Sequence, residues 1–279
     1  MNAELEWQEV ERRGVSLIDK GITERELGLH EEALTTFNKA IDVSRSVSHE
    51  SDPVARILAH ALDNKARSLM DLGRPAEAIP CFDEAISVQE GVVGGDRTWR
   101  AIREIAVSVM NKGAALAQLS RDEDALDCFE CALDGFRQCE SAEDAARALI
   151  NCGNLYFRRL RFDEALAMLD ESQAILGAET AYEPEASKVV YAYALASKAH
   201  LLLALERYHE ACDLCDRSLG ILRAVVSYAN GPGEREDLGD TLELHGQILT
   251  ALGRVKEAAE CFREAEELEK KREPAWARN

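Results

Sequence analysis

One arrangement of small and large apolar residues occurs six times in this 279-residue chain, at intervals of 40 to 47 residues. Its first member is Gly21, Ala66, Gly113, Gly153, Ala199 or Gly246. Twelve residues later every copy has alanine: Ala33, Ala78, Ala125, Ala165, Ala211 and Ala258. Four further on stand Phe37, Phe82, Phe129, Leu169, Cys215 and Phe262, and three beyond those Ala40, Ala85, Ala132, Ser172, Ser218 and Ala265. The fourth copy shows the local logic. Leu149, Gly153 and Tyr156 share one helical face, Arg161 breaks the pattern, and a second face starts with Ala165 and Leu169. Two helices joined by a short polar turn make a helical hairpin. A small residue on each lets the backbones approach, and the large side chain beside it fills the wedge. One hairpin cannot cover its own apolar surface, so the copies must stack on one another.

Composition agrees with a helical array and excludes several classes. Hydrophobic residues make up 46% of the chain, and only six prolines interrupt it, as long helices require. The formal net charge of −19 repels phosphate backbones, so nucleic acid is not an expected partner. No leading apolar stretch reads as a signal peptide, and no run approaches the ~20 residues of a membrane span. Eight cysteines without a secretory leader point to a reducing compartment, and a cytoplasmic location is expected. A monomer is the expected form, with a homodimer left open.

The hairpins are expected at 3–50, 54–93, 97–139, 142–177, 185–229 and 235–272, followed by a short tail, 273–279, that holds Trp276. Ala3 to Leu27 reads as one long helix, and polar connectors follow at Ser48–Pro53, Gly91–Thr98, Cys139–Asp144, Gly177–Glu185 and Tyr228–Asp237. One and eight residues after each recurring alanine lie Leu34/Ile41, Ile79/Ile86, Leu126/Leu133, Leu166/Gln173 and Cys212/Leu219. Seven apart is one helix face, expected to pack on the following hairpin. In the sixth copy the pair is Ala259/Glu266, small and charged, as a terminal repeat with a wet outer face would have. The chain is therefore expected to end its array there.

At these residues the chain resembles the tetratricopeptide repeat family. The last copy carries Leu242, Gly246, Leu249, Gly253, Ala258, Phe262 and Ala265 in the family's order, and the resemblance covers roughly 15 to 270. The usual period is ~34 residues, so these repeats are long, similar to those of kinesin light chains, the spindle-orientation adaptor LGN and bacterial peptide-sensing regulators. A second departure stands just before the first small residue. There the family has leucine, and this chain has Lys20, Lys65, Lys112, Cys152, Lys198 and His245. The resemblance implies an all-α, right-handed α-solenoid of six hairpins whose first helices line a concave groove. Two residues before the first small residue come Asn64, Asn111 and Asn151 in three successive repeats. An amide both donates and accepts, so it can pair with an extended peptide backbone, and the resemblance implies that role here. The alternative for the same asparagines is a hydrogen bond to a neighbouring helix. Arg67, Asn154, Arg158 and His200 follow on the same wall and could supply positive points for a ligand bearing a carboxylate.

Other constellations carry less. Cys128-x-x-Cys131 and Cys212-x-x-Cys215 have zinc-like spacing, but they belong to repeats three and five and sit at different offsets. Cys81, Cys128 and Cys261 share one offset, which small packing thiols explain. No metal and no cofactor are expected. His30-Glu31-Glu32 and His209-Glu210 lack the second histidine of a metalloprotease helix, and the glycines at 91–95 lack a following Lys-Ser/Thr. No catalytic residue is predicted. The expected function is that of an adaptor or regulatory subunit binding an extended segment of a partner protein. The alternative is a sensor of small signal peptides acting through a partner protein.

Overall fold

The computed structural model describes residues 3–46, 52–92, 98–177, 185–229 and 232–272. The tail with Trp276 and the glycine-rich segment 93–97 lie outside the described residues, as do 47–51 and 178–184, which hold most of two other predicted connectors. Twelve helices and no strand occur among the described residues. They are α1 (Ala3–Glu26), α2 (His30–Arg45), α3 (Asp52–Asp71), α4 (Pro75–Val92), α5 (Trp99–Gln118), α6 (Asp122–Gln138), α7 (Ala142–Arg158), α8 (Phe162–Gly177), α9 (Glu185–Ala204), α10 (Tyr208–Ala229), α11 (Pro232–Ala251) and α12 (Val255–Arg272). The fold is an all-α array of hairpins of the solenoid kind. It divides into two compact units, Met1–Asp144 and Ala145–Asn279, with the division in the first turn of α7. The connector predicted at Cys139–Asp144 shrinks to three residues, because α7 already starts at Ala142, and the one predicted at Tyr228–Asp237 is likewise too long, because α10 runs to Ala229 and α11 starts at Pro232.

The recurring small residues sit at the helix crossings. In the first unit a Cβ added to Gly21 would lie 2.5 Å from the Phe37 ring, and one on Gly113 would lie 2.7 Å from Phe129. In the second, the same atom on Gly153 would meet Leu169 at 2.9 Å, and on Gly246 it would meet Phe262 at 2.6 Å. The six alanines are all buried. Each large residue thus occupies the space that a side chain on the first helix would need.

Each turn from first to second helix closes in the same way, with one residue at positive φ seven positions after the small residue: Gly28, Gly73, Ser120, Leu160, Glu206 and Gly253. At Gly73 the amide donates to the Met70 carbonyl and the next amide, Arg74, donates to Leu69. The same pair of bonds recurs at all six turns, which satisfies the carbonyls left open by a helix end. Five of the turns then present an arginine that pairs with an acid three residues on: Arg74–Glu77, Arg121–Asp124, Arg161–Glu164, Arg207–Glu210 and Arg254–Glu257.

The second helices pack forward as predicted. Leu34 lies against Ala66 and Leu69, and Ile41 against Ile57 and Leu58. In the second unit Cys212 packs on Ile248 and Leu249, and Leu219 on Leu238 and Leu242. Gln173, a polar member of this stripe, donates its amide to the Ala194 carbonyl at 3.3 Å. Ala259 and Glu266 on α12 are exposed. Two of the lysines that replace the family's leucine reach the preceding hairpin: Lys112 Nζ lies 2.6 Å from Asp83, and Lys198 pairs with Asp170.

Candidate functional site

In the second unit the first helices α7, α9 and α11 line a cleft of about 520 Å³. Three of the predicted residues meet there. Asn154 and Arg158, one turn apart on α7, share it with His200 of α9. The Phe157 and His200 rings meet edge to face, 4.9 Å between centroids, and form part of the floor with Tyr193 and Leu244. Asn151, half-buried one turn before Asn154, is not among the lining residues.

The electrostatics differ from the positive wall expected. Burial lowers the pKa of His200, so its ring is neutral at pH 7. From α11 come three carboxylates, Asp237, Asp240 and Glu243, against the one guanidinium of Arg158. Burial and a hydrogen bond with Asp237 push the Tyr193 phenol up, so it remains a neutral group. Sequence reasoning missed these acids because it followed only the residues around the small anchor. The α11 carboxylates lie three to nine positions before theirs. The cleft therefore combines an aromatic floor, the amides of Asn154 and Gln247, and a rim richer in negative than positive charge.

In the first unit the predicted residues surround a carboxylate. Asp63 accepts from Ser108 Oγ at 3.0 Å and is hydrogen-bonded to the Asn111 side chain, with the Arg67 guanidinium nearby. Burial is the largest influence on Asp63 and raises its pKa, opposed first by Arg67 and then by the two hydrogen bonds. Asn64 donates its amide to the His60 carbonyl of its own helix at 2.9 Å, and its Oδ1 is buried with no hydrogen-bond partner among the described residues. Both readings of the asparagines thus have physical content here: Asn111 bridges to α3, whereas Asn64 keeps an unused acceptor.

Tetratricopeptide repeat profiles match residues 58–97, 104–178 and 240–272, together more than half of the chain. No curated protein sequence matches significantly. Among solved structures, the chain is similar to BtubC (BKLC) from P. vanneervenii at a TM-score of 0.68, with 14% identity over 86% of this chain and 91% of that one. It is similar to the apo form of RapI at 0.68, with 15% identity over 93% of this chain and 84% of that one. The apo quorum sensor NprR from B. thuringiensis matches at 0.65, with 15% identity over 92% of this chain and 65% of that one. At such identities the likeness concerns the fold.

Proposed function

The chain belongs to the tetratricopeptide repeat family, and from that premise we propose that it is a non-catalytic adaptor or regulatory subunit that binds an extended segment of a partner protein. The observation that carries this reading is the cleft of Asn154, Phe157, His200, Tyr193 and Gln247, built from three successive first helices. Its amides can pair with a peptide's N–H and C=O groups, its aromatic floor takes an apolar side chain, and its acidic rim favours a basic one. Asn64, Arg67, Asn111 and Asn151 extend the proposal to other first helices. Cytoplasmic location and a monomeric form belong to the same reading.

The test is a display selection of extended peptides followed by isothermal titration. We expect selected segments to pair an apolar with a basic side chain. Asn154→Ala combined with Gln247→Ala should weaken binding about thirtyfold, since each hydrogen bond contributes ~1 kcal/mol net. The double variant Asn111→Ala/Asn151→Ala tests the extension. Unchanged affinity in a folded Asn154→Ala/Gln247→Ala protein would refute the cleft as the site.

A second reading is favoured by the cleft's size, which falls within the ~300–1,000 Å³ of small-ligand pockets, and by the quorum-sensor role named for NprR. Here the ligand is a short free signal peptide, and the protein acts through another. A thermal shift by micromolar short peptides separates the two, because a sensor is stabilised by them and an adaptor requires the longer segment.

A further inference from the structure

Two departures from the repeat pattern coincide in the second unit. On α5 and α9 the residue before the small anchor is a lysine that pairs with an aspartate on the preceding hairpin, Lys112 with Asp83 and Lys198 with Asp170. On α11 that residue is His245, and it faces Asp216 in the same relation, Nε2 to Oδ1 at 3.3 Å. The stripe position that carries leucine or isoleucine in the first four repeats is Cys212 on α10, one turn from Asp216. Behind the imidazole, Cys261 of α12 lies 3.6 Å from Nδ1.

We propose that Cys212, Asp216 and His245 form a binding site for a divalent transition-metal cation of the zinc class. One donor atom from each residue lies within 4.8 Å of the other two. Cys212 Sγ is 3.6 Å from His245 Nε2 and 3.9 Å from Asp216 Oδ2, while the other oxygen, Oδ1, is 3.3 Å from Nε2, so a turn of this exposed carboxylate brings one oxygen to both. Metal–sulfur bonds of ~2.3 Å and metal–nitrogen or –oxygen bonds of ~2.0–2.2 Å give tetrahedral edges of about 3.5 Å for S–N and about 3.4 Å for N–O. A thiolate, a neutral imidazole and a carboxylate are a donor set for zinc or cobalt rather than for magnesium or calcium.

The surroundings suit such a centre. Cys212 and His245 are both buried, while the Asp216 side chain is 60% exposed, so one flank opens to solvent and leaves a fourth position for water. Burial lowers the His245 pKa, opposed by Asp216, and so favours the neutral imidazole that binds a metal. Burial and the neighbouring Asp216 raise the Cys212 pKa, opposed by the Arg254 guanidinium, which donates to Sγ at 3.5 Å and is itself paired with Glu257 at 2.6 Å; a bound cation would supply the remaining stabilisation of the thiolate. With thiolate and carboxylate both ionised, a bound divalent ion leaves the three-ligand site neutral. Cys215, the nearest other thiol on α10, points instead at the Thr241 carbonyl, 3.5 Å away.

The experiment titrates the reduced, metal-stripped full chain with Co²⁺ alone, then with Zn²⁺. One equivalent of cobalt should produce a thiolate-to-cobalt charge-transfer band and the visible bands of tetrahedral cobalt. Zinc should bleach both and raise the melting temperature. Cys212→Ser should abolish the charge-transfer band, Asp216→Asn should weaken cobalt binding at least tenfold, and Cys261→Ser should leave the spectrum intact. Asp216 is exposed, so its variant folds even if a change at His245 does not. Absence of the bands, their survival in Cys212→Ser, their loss in Cys261→Ser, or unaltered affinity in Asp216→Asn would each overturn the proposal.

Discussion

Asp63 carries a penalty that can be measured. Its folded pKa is raised, chiefly by burial, above the unfolded value of 3.8. Above the raised pKa the folded state must hold an ionised carboxylate it disfavours, so the group costs stability at neutral pH. That cost is relieved as pH falls through the raised pKa, and it vanishes near the unfolded one. We expect Asp63→Asn, which retains an acceptor for Ser108, to unfold at higher denaturant than wild type at pH 7. The gap should close on acidification, and chemical denaturation at several pH values follows it. Close approach makes a second residue-scale prediction. In Gly113→Ala the new Cβ meets Phe129, a ring only 3% exposed, and Cys128 Cβ at 3.0 Å, so overpacking should cost about 1–3 kcal/mol. In Gly246→Ala the obstructing ring is Phe262, which is 40% exposed and free to move outward, and the cost should stay below about 1 kcal/mol. Melting curves of the two variants test the contrast.

At the scale of the element, the hairpin turn is over-determined by its surroundings. Three of the six turns place a non-glycine at positive φ, namely Ser120, Leu160 and Glu206, although such a backbone costs an L-residue ~1–2 kcal/mol. Two amide-to-carbonyl bonds and the helix crossing beyond them hold it there. Leu160 is 73% exposed and has little packing to lose. Leu160→Gly is therefore expected to stabilise the protein by roughly 0.5–1 kcal/mol, after the extra unfolded-state entropy of glycine is subtracted. Gly73→Ala should destabilise by a similar amount, and a melting temperature that moves the other way in either variant would contradict this account. The arginine-to-acid pairs after the turns are solvent-exposed and contribute little each. Their value lies in placing an acid in the first turn of the second helix, where the helix dipole favours it.

At the scale of the whole molecule, charge decides how a partner arrives. A chain of net charge −19 with an acid-rich cleft should attract a segment that carries basic side chains. Association of such a segment is expected to slow steeply as salt rises from low ionic strength toward physiological, where the screening length is ~8 Å. Dissociation should change far less, since it is governed by the aromatic floor and the amides. Stopped-flow association across a salt series reads both rates, and a salt-independent on-rate would contradict the steering.

What was legible in the chain is what recurs along it. The six hairpins, their crossings at small residues and the forward-packing stripe are encoded at fixed offsets within some twenty residues, and helical periodicity converts those offsets into faces. The turn conformation was only half visible, because glycine marks it at Gly28, Gly73 and Gly253 but not at Leu160. Tertiary structure decided the rest. Whether the unusual lysines were a flaw or a contact depended on which acid the preceding hairpin placed opposite them. The sign of the cleft came from α11, and Cys212 met His245 only through stacking, across 33 residues of sequence. Pairings between hairpins carry no fixed spacing, so no reading along one strand of letters can find them. Only the packed helices bring those side chains within reach.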